Sequence, residues 1–388
     1  MNSSPTTYRY RWTILGAGVV AQAAFSALLI GLASIAPAIQ HHYGLSLAQV
    51  GVVLGAVNIG LVVTLLPWGL LADRIGERTT IALGLAGCGA ATAGAGFTGS
   101  YGALIGLLAL AGALGGCVQS ASGRAVMSWF GPAERGLALG IRQTAVPLGG
   151  AIAAVVLPAL ASGPGLRSAF LALAVGSGLG AAVGLALLRD APSGELEQEI
   201  VRPLRDRRLW LLCGGSTLLL AGQFAILGFV VLFLHQQRGV SNGAAAGVLA
   251  VIQVLGGAAR IGAGRLSDRL QQRIVPLLWI GVTLAVALAV SAALVDASLW
   301  LLVPALLVAG TLGLSWNGLS YTAAAERAGA ARSGAAIGIQ QTALAVGSIA
   351  FPIAFAAVVG ATSWRLGYFL AALGPLAGFL ALRPLAER

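Results

Sequence analysis

The chain has 388 residues, is 58% hydrophobic and carries only 9% charged residues, against about 25% in soluble domains, so composition places it in a lipid bilayer. Its net charge is +11 and all 23 basic residues are arginine. Without lysine there is no Walker-type phosphate loop and no Schiff-base chemistry, so ATP-driven pumping by this chain is not expected.

Apolar runs of about 20 residues are long enough to cross a bilayer as helices. Taken in order, twelve are predicted, over 11–38, 47–71, 78–98, 102–128, 135–161, 165–188, 209–235, 243–265, 274–294, 299–324, 334–360 and 363–383. The segment Met1 to Arg11 is polar, without a signal-peptide pattern, so the first helix is expected to be retained. The largest polar break runs from Arg189 to Arg208 and holds Asp190, Glu195, Glu197, Glu199 and Asp206 among five arginines. The predicted architecture is therefore an all-α membrane protein of two pseudo-symmetric six-helix bundles, 1–188 and 209–388, joined by a cytoplasmic linker, 189–208.

Arginine position sets the expected orientation, because basic loops stay on the cytoplasmic side. Seventeen arginines fall in the termini and one set of loops, and only Arg167, Arg238 and Arg365 in the other. Both termini are thus expected in the cytoplasm of a cell whose inner membrane holds the protein. This distribution also argues against a nucleic-acid partner. Arg124, Arg142 and Arg260 remain inside predicted helices.

Other features read as structural. Cys88, Cys117 and Cys213 lie in apolar runs without metal-ligand spacing, and His41, His42 and His235 sit at predicted membrane edges. Gly94-Ala95-Gly96-Phe97-Thr98-Gly99 matches a dinucleotide fingerprint, but within an apolar helix with no preceding strand. No zinc-protease pair, serine elbow or carboxylate cluster points to an enzyme, no cofactor or metal is implied, and the absence of a sizeable extramembrane domain argues against a receptor. The chain is expected to be monomeric.

The sequence repeats itself. Gly69-Leu-Leu-Ala-Asp73-Arg74-Ile-Gly76-Glu77-Arg78 is echoed by Gly264-Arg-Leu-Ser-Asp268-Arg269 at a shift of 195, which also carries Asn58 onto Gln253. Gly140 to Ala145 is echoed by Gly338 to Ala343 at a shift of 198. Such parallel duplication in a membrane protein suggests two halves built around a substrate path.

The first block resembles the signature loop between helices two and three of major facilitator superfamily transporters, and the second sits where that family repeats it. The resemblance implies a twelve-helix secondary transporter working by alternating access. It also implies that the motif acid caps a neighbouring helix end and pairs with arginine, so that Gly69, Asp73, Arg74, Gly76 and Arg78, aided by Gly264, Asp268 and Arg269, form a gate. More narrowly, Arg260 lies eight residues before Asp268, an arrangement similar to helix eight of the oxalate/formate antiporter and monocarboxylate transporter branches, where the arginine binds a carboxylate. Where oxalate transporters use a lysine in helix eleven, Gln340 and Gln341 stand here instead.

An arginine near a bilayer centre costs about 2.5–3.5 kcal/mol on insertion scales, so it needs a partner or an aqueous cavity. By the predicted topology every acidic residue lies in a loop or terminus, so no carboxylate is expected beside Arg142 or Arg260, and an anionic substrate becomes their natural counter-ion. Two alternatives stay open: Arg142 reaching neighbouring backbone carbonyls, and Arg124 snorkelling toward the edge near Trp129. Neutral polar residues at membrane depth, Gln22, Asn58, Gln143, Gln223, Gln253, Trp316, Asn317, Tyr321 and Gln341, suit either a small polar ligand or helix-to-helix contact. The expected function is transport of a small anion, most simply a monocarboxylate, with a co-transported proton or a counter-anion. Drug or metabolite efflux and nitrate- or cyanate-type transport are the alternatives.

Overall fold

The computed structural model describes residues 5–189 and 203–386; Asp190, Glu195, Glu197, Glu199 and Arg202 of the expected linker lie outside them. Among the described residues twelve helices are long and apolar enough to cross a membrane. Written as one helix per crossing, they are α1 Arg9–Tyr43, α2 Gln49–Ile75, α3 Glu77–Phe97, α4 Tyr101–Trp129, α5 Arg135–Ser162, α6 Leu166–Leu187, α7 Arg207–Gln237, α8 Gly243–Leu270, α9 Ile274–Ala293, α10 Leu299–Ala328, α11 Ser333–Ala361 and α12 Trp364–Leu385. In hydrocarbon every backbone group must find a partner within the protein, which leaves continuous helix as the available form. Large apolar side chains such as Val63, Val155, Val254 and Trp300 stand exposed, as a lipid-facing surface requires.

Helix ends follow local chemistry. Ser46 accepts the Gln49 N–H while the Gln49 side chain accepts the Ser46 N–H, a reciprocal cap at the start of α2. Gly76 ends α2 with φ +80, a conformation that glycine adopts without strain, and α3 begins at the next residue. Several helices are interrupted: α4 at Gly116, α5 at Thr144 and α10 at Trp316.

The chain forms two compact units. One comprises Met1–Gly131, Ile141–Pro203 and Ala328–Thr342; the other comprises Pro132–Gly140, Leu204–Arg327 and Ala343–Arg388. In the first, α3 packs on α6, α2 on α4 and α1 on α6; in the second, α9 packs on α12, α8 on α10 and α7 on α12. The pairings correspond under the sequence repeat.

Candidate membrane-embedded binding and gating residues

The two motif aspartates occupy equivalent positions, each within its own unit. Asp73, near the end of α2, accepts the backbone N–H groups of Gly334 at 3.0 Å and Ala335 at 2.9 Å, at the start of α11. Asp268, near the end of α8, accepts those of Gly136 at 2.9 Å and Leu137 at 2.7 Å, at the start of α5. Helix N-termini carry unmet N–H donors and partial positive charge, and a carboxylate satisfies both. Glycine makes the approach feasible: a methyl group on Gly69 would collide with the Gly334 carbonyl, and one on Gly264 with the Gly136 carbonyl.

Countercharges come from residues other than the expected ones. Arg74 and Arg269 are exposed, and exposed Arg78 donates Nε to the Leu185 carbonyl at 2.8 Å. In their place Arg124 pairs with Asp73 at 3.2 Å and with Glu77. Two expectations are corrected here. Glu77 is a fully buried carboxylate at the head of α3, and Arg124 has two protein anions as partners instead of snorkelling to the edge. Two charges taken out of water must meet one another closely to offset desolvation.

In the second unit Arg273 takes the corresponding place. It contacts Asp268 at 2.6 Å and Glu326 at 2.9 Å, and donates to Ser267 Oγ at 3.0 Å and the Pro132 carbonyl. Arg135 lies 4.0 Å from the same Glu326. Burial depresses the Arg273 guanidinium, but Glu326 and Asp268 outweigh it and hold its pKa above the ordinary value. Nearby, burial raises the Asp206 carboxyl, yet hydrogen bonds from Arg327 and from the backbone of Arg208 leave it below the usual range. A cavity of about 340 Å³ opens among Arg208, Gln271, Arg273, Glu326 and Arg327. With Arg273 and Arg327 paired to Glu326 and Asp206, most of its charge is internally matched.

Arg142 is fully buried in the first unit and donates to Ser122 Oγ at 2.7 Å, Gln119 O at 2.6 Å, Gln22 Oε1 at 3.2 Å and Val118 O at 3.4 Å. All four acceptors are neutral. Two are carbonyls just beyond the Gly116 interruption of α4, so the carbonyl-binding alternative describes this guanidinium better than one awaiting an anion. Gln341, 9% exposed, donates to Gln119 Oε1 at 3.1 Å, and Gln143 is 5% exposed. Gln22 Nε2 and Ser26 Oγ, one turn apart on α1, lack hydrogen-bond partners.

Arg260 is 8% exposed in the second unit and donates Nε to the Leu314 carbonyl at 2.7 Å, two residues before the Trp316 interruption of α10. Tyr321 lies within electrostatic range of it. Gln223, Asn317 and Trp316 are also buried. Ser320 on α10 donates to Ser216 on α7 at 2.9 Å, and Gly313 approaches Gln223 so closely that an added Cβ would stand 3.2 Å from its Cα. Gln223 and Arg260 thus touch α10 on the turn that precedes Asn317. Gln253 is half-buried, and Asn58 is exposed with its amide returned to the Leu54 carbonyl at 3.4 Å. The repeat relates these last two in sequence, yet neither joins the buried clusters.

A family profile described as Major Facilitator Superfamily matches residues 14–352. An uncharacterized MFS-type transporter of Mycobacterium tuberculosis is 33% identical over 384 residues, spanning 97% of this chain and 86% of that protein. The tetracenomycin C resistance and export protein of Streptomyces glaucescens is 31% identical over 181 residues, 46% of this chain and 33% of that one. A probable sulfoacetate transporter of Cupriavidus necator is 31% identical over 144 residues, 37% of this chain and 34% of that one. Among solved structures, the human organic anion transporter MFSD10 shares the fold with a TM-score of 0.77 at 16% identity, covering 98% of this chain and 100% of that one.

Proposed function

The chain belongs to the Major Facilitator Superfamily of secondary membrane transporters, and on that premise we propose that its cargo is a small organic anion, a monocarboxylate or a near relative. One observation carries the reading: Arg260, buried about 15 Å from the Leu270 end of its helix at 1.5 Å per residue, donates to the Leu314 carbonyl on the turn of α10 that precedes buried Asn317. A cation at that depth is costly, and a carboxylate received by its planar fork offsets the cost. Arg142 is assigned no contact with the cargo, because its bonds go to protein oxygens. The similarity to a sulfoacetate transporter supports an anionic substrate.

In this reading the halves 1–188 and 209–388, joined by 189–208, alternate access from an inner membrane with both termini cytoplasmic. Asp73 and Asp268 act as gate residues, releasing and regaining their helix caps. Entry of a monovalent anion against an interior-negative potential is opposed by about 2.3 kcal/mol per 100 mV, so uptake is coupled to a proton or to exchange for a counter-anion.

The test is uptake by proteoliposomes of labelled carboxylates, nitrate and cyanate. Arg260→Ala is expected to lower uptake of the best anion at least tenfold, with Arg260→Lys between it and the parent. Unchanged uptake in Arg260→Ala overturns the reading. Resistance to neutral or cationic aromatic compounds on expression, without anion transport, establishes instead the export reading that similarity to the tetracenomycin exporter favours.

A further inference from the structure

The contacts that fasten α11 to the first bundle run deeper than the aspartate cap. Gly334 lies against the Gly69 carbonyl, and one turn on Gly338 lies against the Leu65 carbonyl, 2.8 Å from where a Cβ would stand. A further turn in, Gln341 donates Nε2 to Gln119 Oε1 at 3.1 Å. Residues at steps of four and three share one helix face, and seven residues at 1.5 Å each span about 10 Å. The acceptor stands on a braced turn, since the Gln119 carbonyl receives Arg142 at 2.6 Å.

In the second unit the same ladder stops one turn earlier. Under the shifts of 195 and 198, Gly136, Gly140, Gly264 and Arg260 correspond to Gly334, Gly338, Gly69 and Leu65. Gly140 accordingly meets the Arg260 carbonyl, again 2.8 Å from an added Cβ. Asn317 then takes the place of Gln119, and its side-chain oxygen has no donor among the described residues. The second unit reaches along α5 only to Gly140, whereas the first reaches along α11 to Thr342. The second unit's further fastening lies at the helix mouth, where Arg273 donates to the Pro132 carbonyl and Arg135 lies 4.0 Å from Glu326.

We infer that the Gln119–Gln341 hydrogen bond is a lock at membrane depth, holding the start of α11 on the first bundle and breaking when the two halves rock apart. The inference rests on the alternating access of the proposed function and is indifferent to the charge of the cargo. Both amides are 9% exposed, so little water competes for the bond, and salt does not screen it, because neither partner is charged. One neutral hydrogen bond of ordinary net strength changes a two-state ratio by about two- to tenfold.

The experiment measures distances by double electron–electron resonance on the full chain in lipid nanodiscs. Spin labels go on Ile75→Cys and Ala331→Cys, both exposed and both in the first unit. Cys88, Cys117 and Cys213 are buried, and the unsubstituted chain is the labelling control. Gln341→Leu and Gln119→Leu are each expected to raise the ratio of long to short distances by about two- to tenfold, equally at about 50 mM and about 500 mM salt. The double variant is expected to go no further than either single one, because the same bond is lost in all three. An unchanged ratio, an effect that fades in high salt, or additive effects of the two substitutions overturn the inference. If the parent rests closed, Asp73→Asn is added to every variant to remove the cap, and an α11 that stays closed in Gln341→Leu even then overturns it as well. The distances are read without cargo, so the outcome is separate from whether Arg260→Ala alters anion uptake.

Discussion

Replacing Arg142 by Met separates an internal brace from a cargo contact. The parent guanidinium is fully buried, with three hydrogen bonds at 3.2 Å or less, to Ser122 Oγ, Gln119 O and Gln22 Oε1, and a fourth at 3.4 Å to Val118 O. Hydrogen bonds to a charged group contribute about 1.5–3 kcal/mol each, so the three short ones total about 4.5–9 kcal/mol in gross terms. Removing the charge also removes its desolvation cost, several kcal/mol for a buried ion, and the freed carbonyls regain part of their bonding within α4. The net loss is about 3 kcal/mol. At about 2–4 °C per kcal/mol for folded units of 150–250 residues, the apparent melting temperature should fall by about 6–12 °C. Scanning fluorimetry in detergent measures that fall, and proteoliposome uptake per folded molecule gives the companion number. An unchanged melting temperature combined with abolished uptake would refute the brace and return Arg142 to the cargo.

Two further outcomes follow from other parts of the molecule. Gly69→Ala and Gly264→Ala, whose methyl groups collide with the Gly334 and Gly136 carbonyls, should each cost about 1–3 kcal/mol by overpacking, whereas Gly257→Ala, inside a helix with nothing within 4 Å, should leave stability unchanged or raise it by up to about 1 kcal/mol; equal melting temperatures for all three contradict the close approach. The Asp206 carboxyl is held below its ordinary range, so its contribution is fully present above the unfolded-state value near about pH 4 and is lost as pH falls through the lower folded value. The melting-temperature gap between the parent and Asp206→Asn should accordingly hold steady above about pH 5 and close on acidification, and a gap that widens toward acid reverses the assigned sign.

The twelve crossings were legible because each is a long run whose hydropathy scarcely depends on its neighbours. Most predicted boundaries lie within about four residues of the observed helix ends, as such boundaries usually do. Motif glycines and aspartates were legible too, through the constant shift of 195. Side-chain partnership was harder to read, because it depends on which helix end lies opposite. Glu77 looks like a loop acid from its place in a charged run, yet the turn at Gly76 directs it inward. Arg273 did carry a signal: it stands 195 residues after Arg78, although the repeated motif as aligned ended at Arg269. The interruptions at Gly116 and Trp316 had no proline to announce them. They matter most for function, because carbonyls near them receive Arg142 and Arg260.

The two motif copies show why some of these features repeat and others do not. Capping a helix start requires a carboxylate within about 3 Å of two particular N–H groups, and a glycine where the backbones touch, so Asp73 with Gly69 and Asp268 with Gly264 recur at one spacing. The balancing cation works through a force that falls gradually with distance and accepts many approach directions. In the first unit it comes from Arg124, on α4, with Glu77 as second anion; in the second it comes from Arg273, just before α9, with Glu326. Short-range geometry therefore fixes the aspartate and glycine, while the longer-range charge balance can be supplied from different positions. These capped helix ends should tolerate moving the arginine, provided the charge is restored nearby, better than they tolerate a methyl group on either glycine.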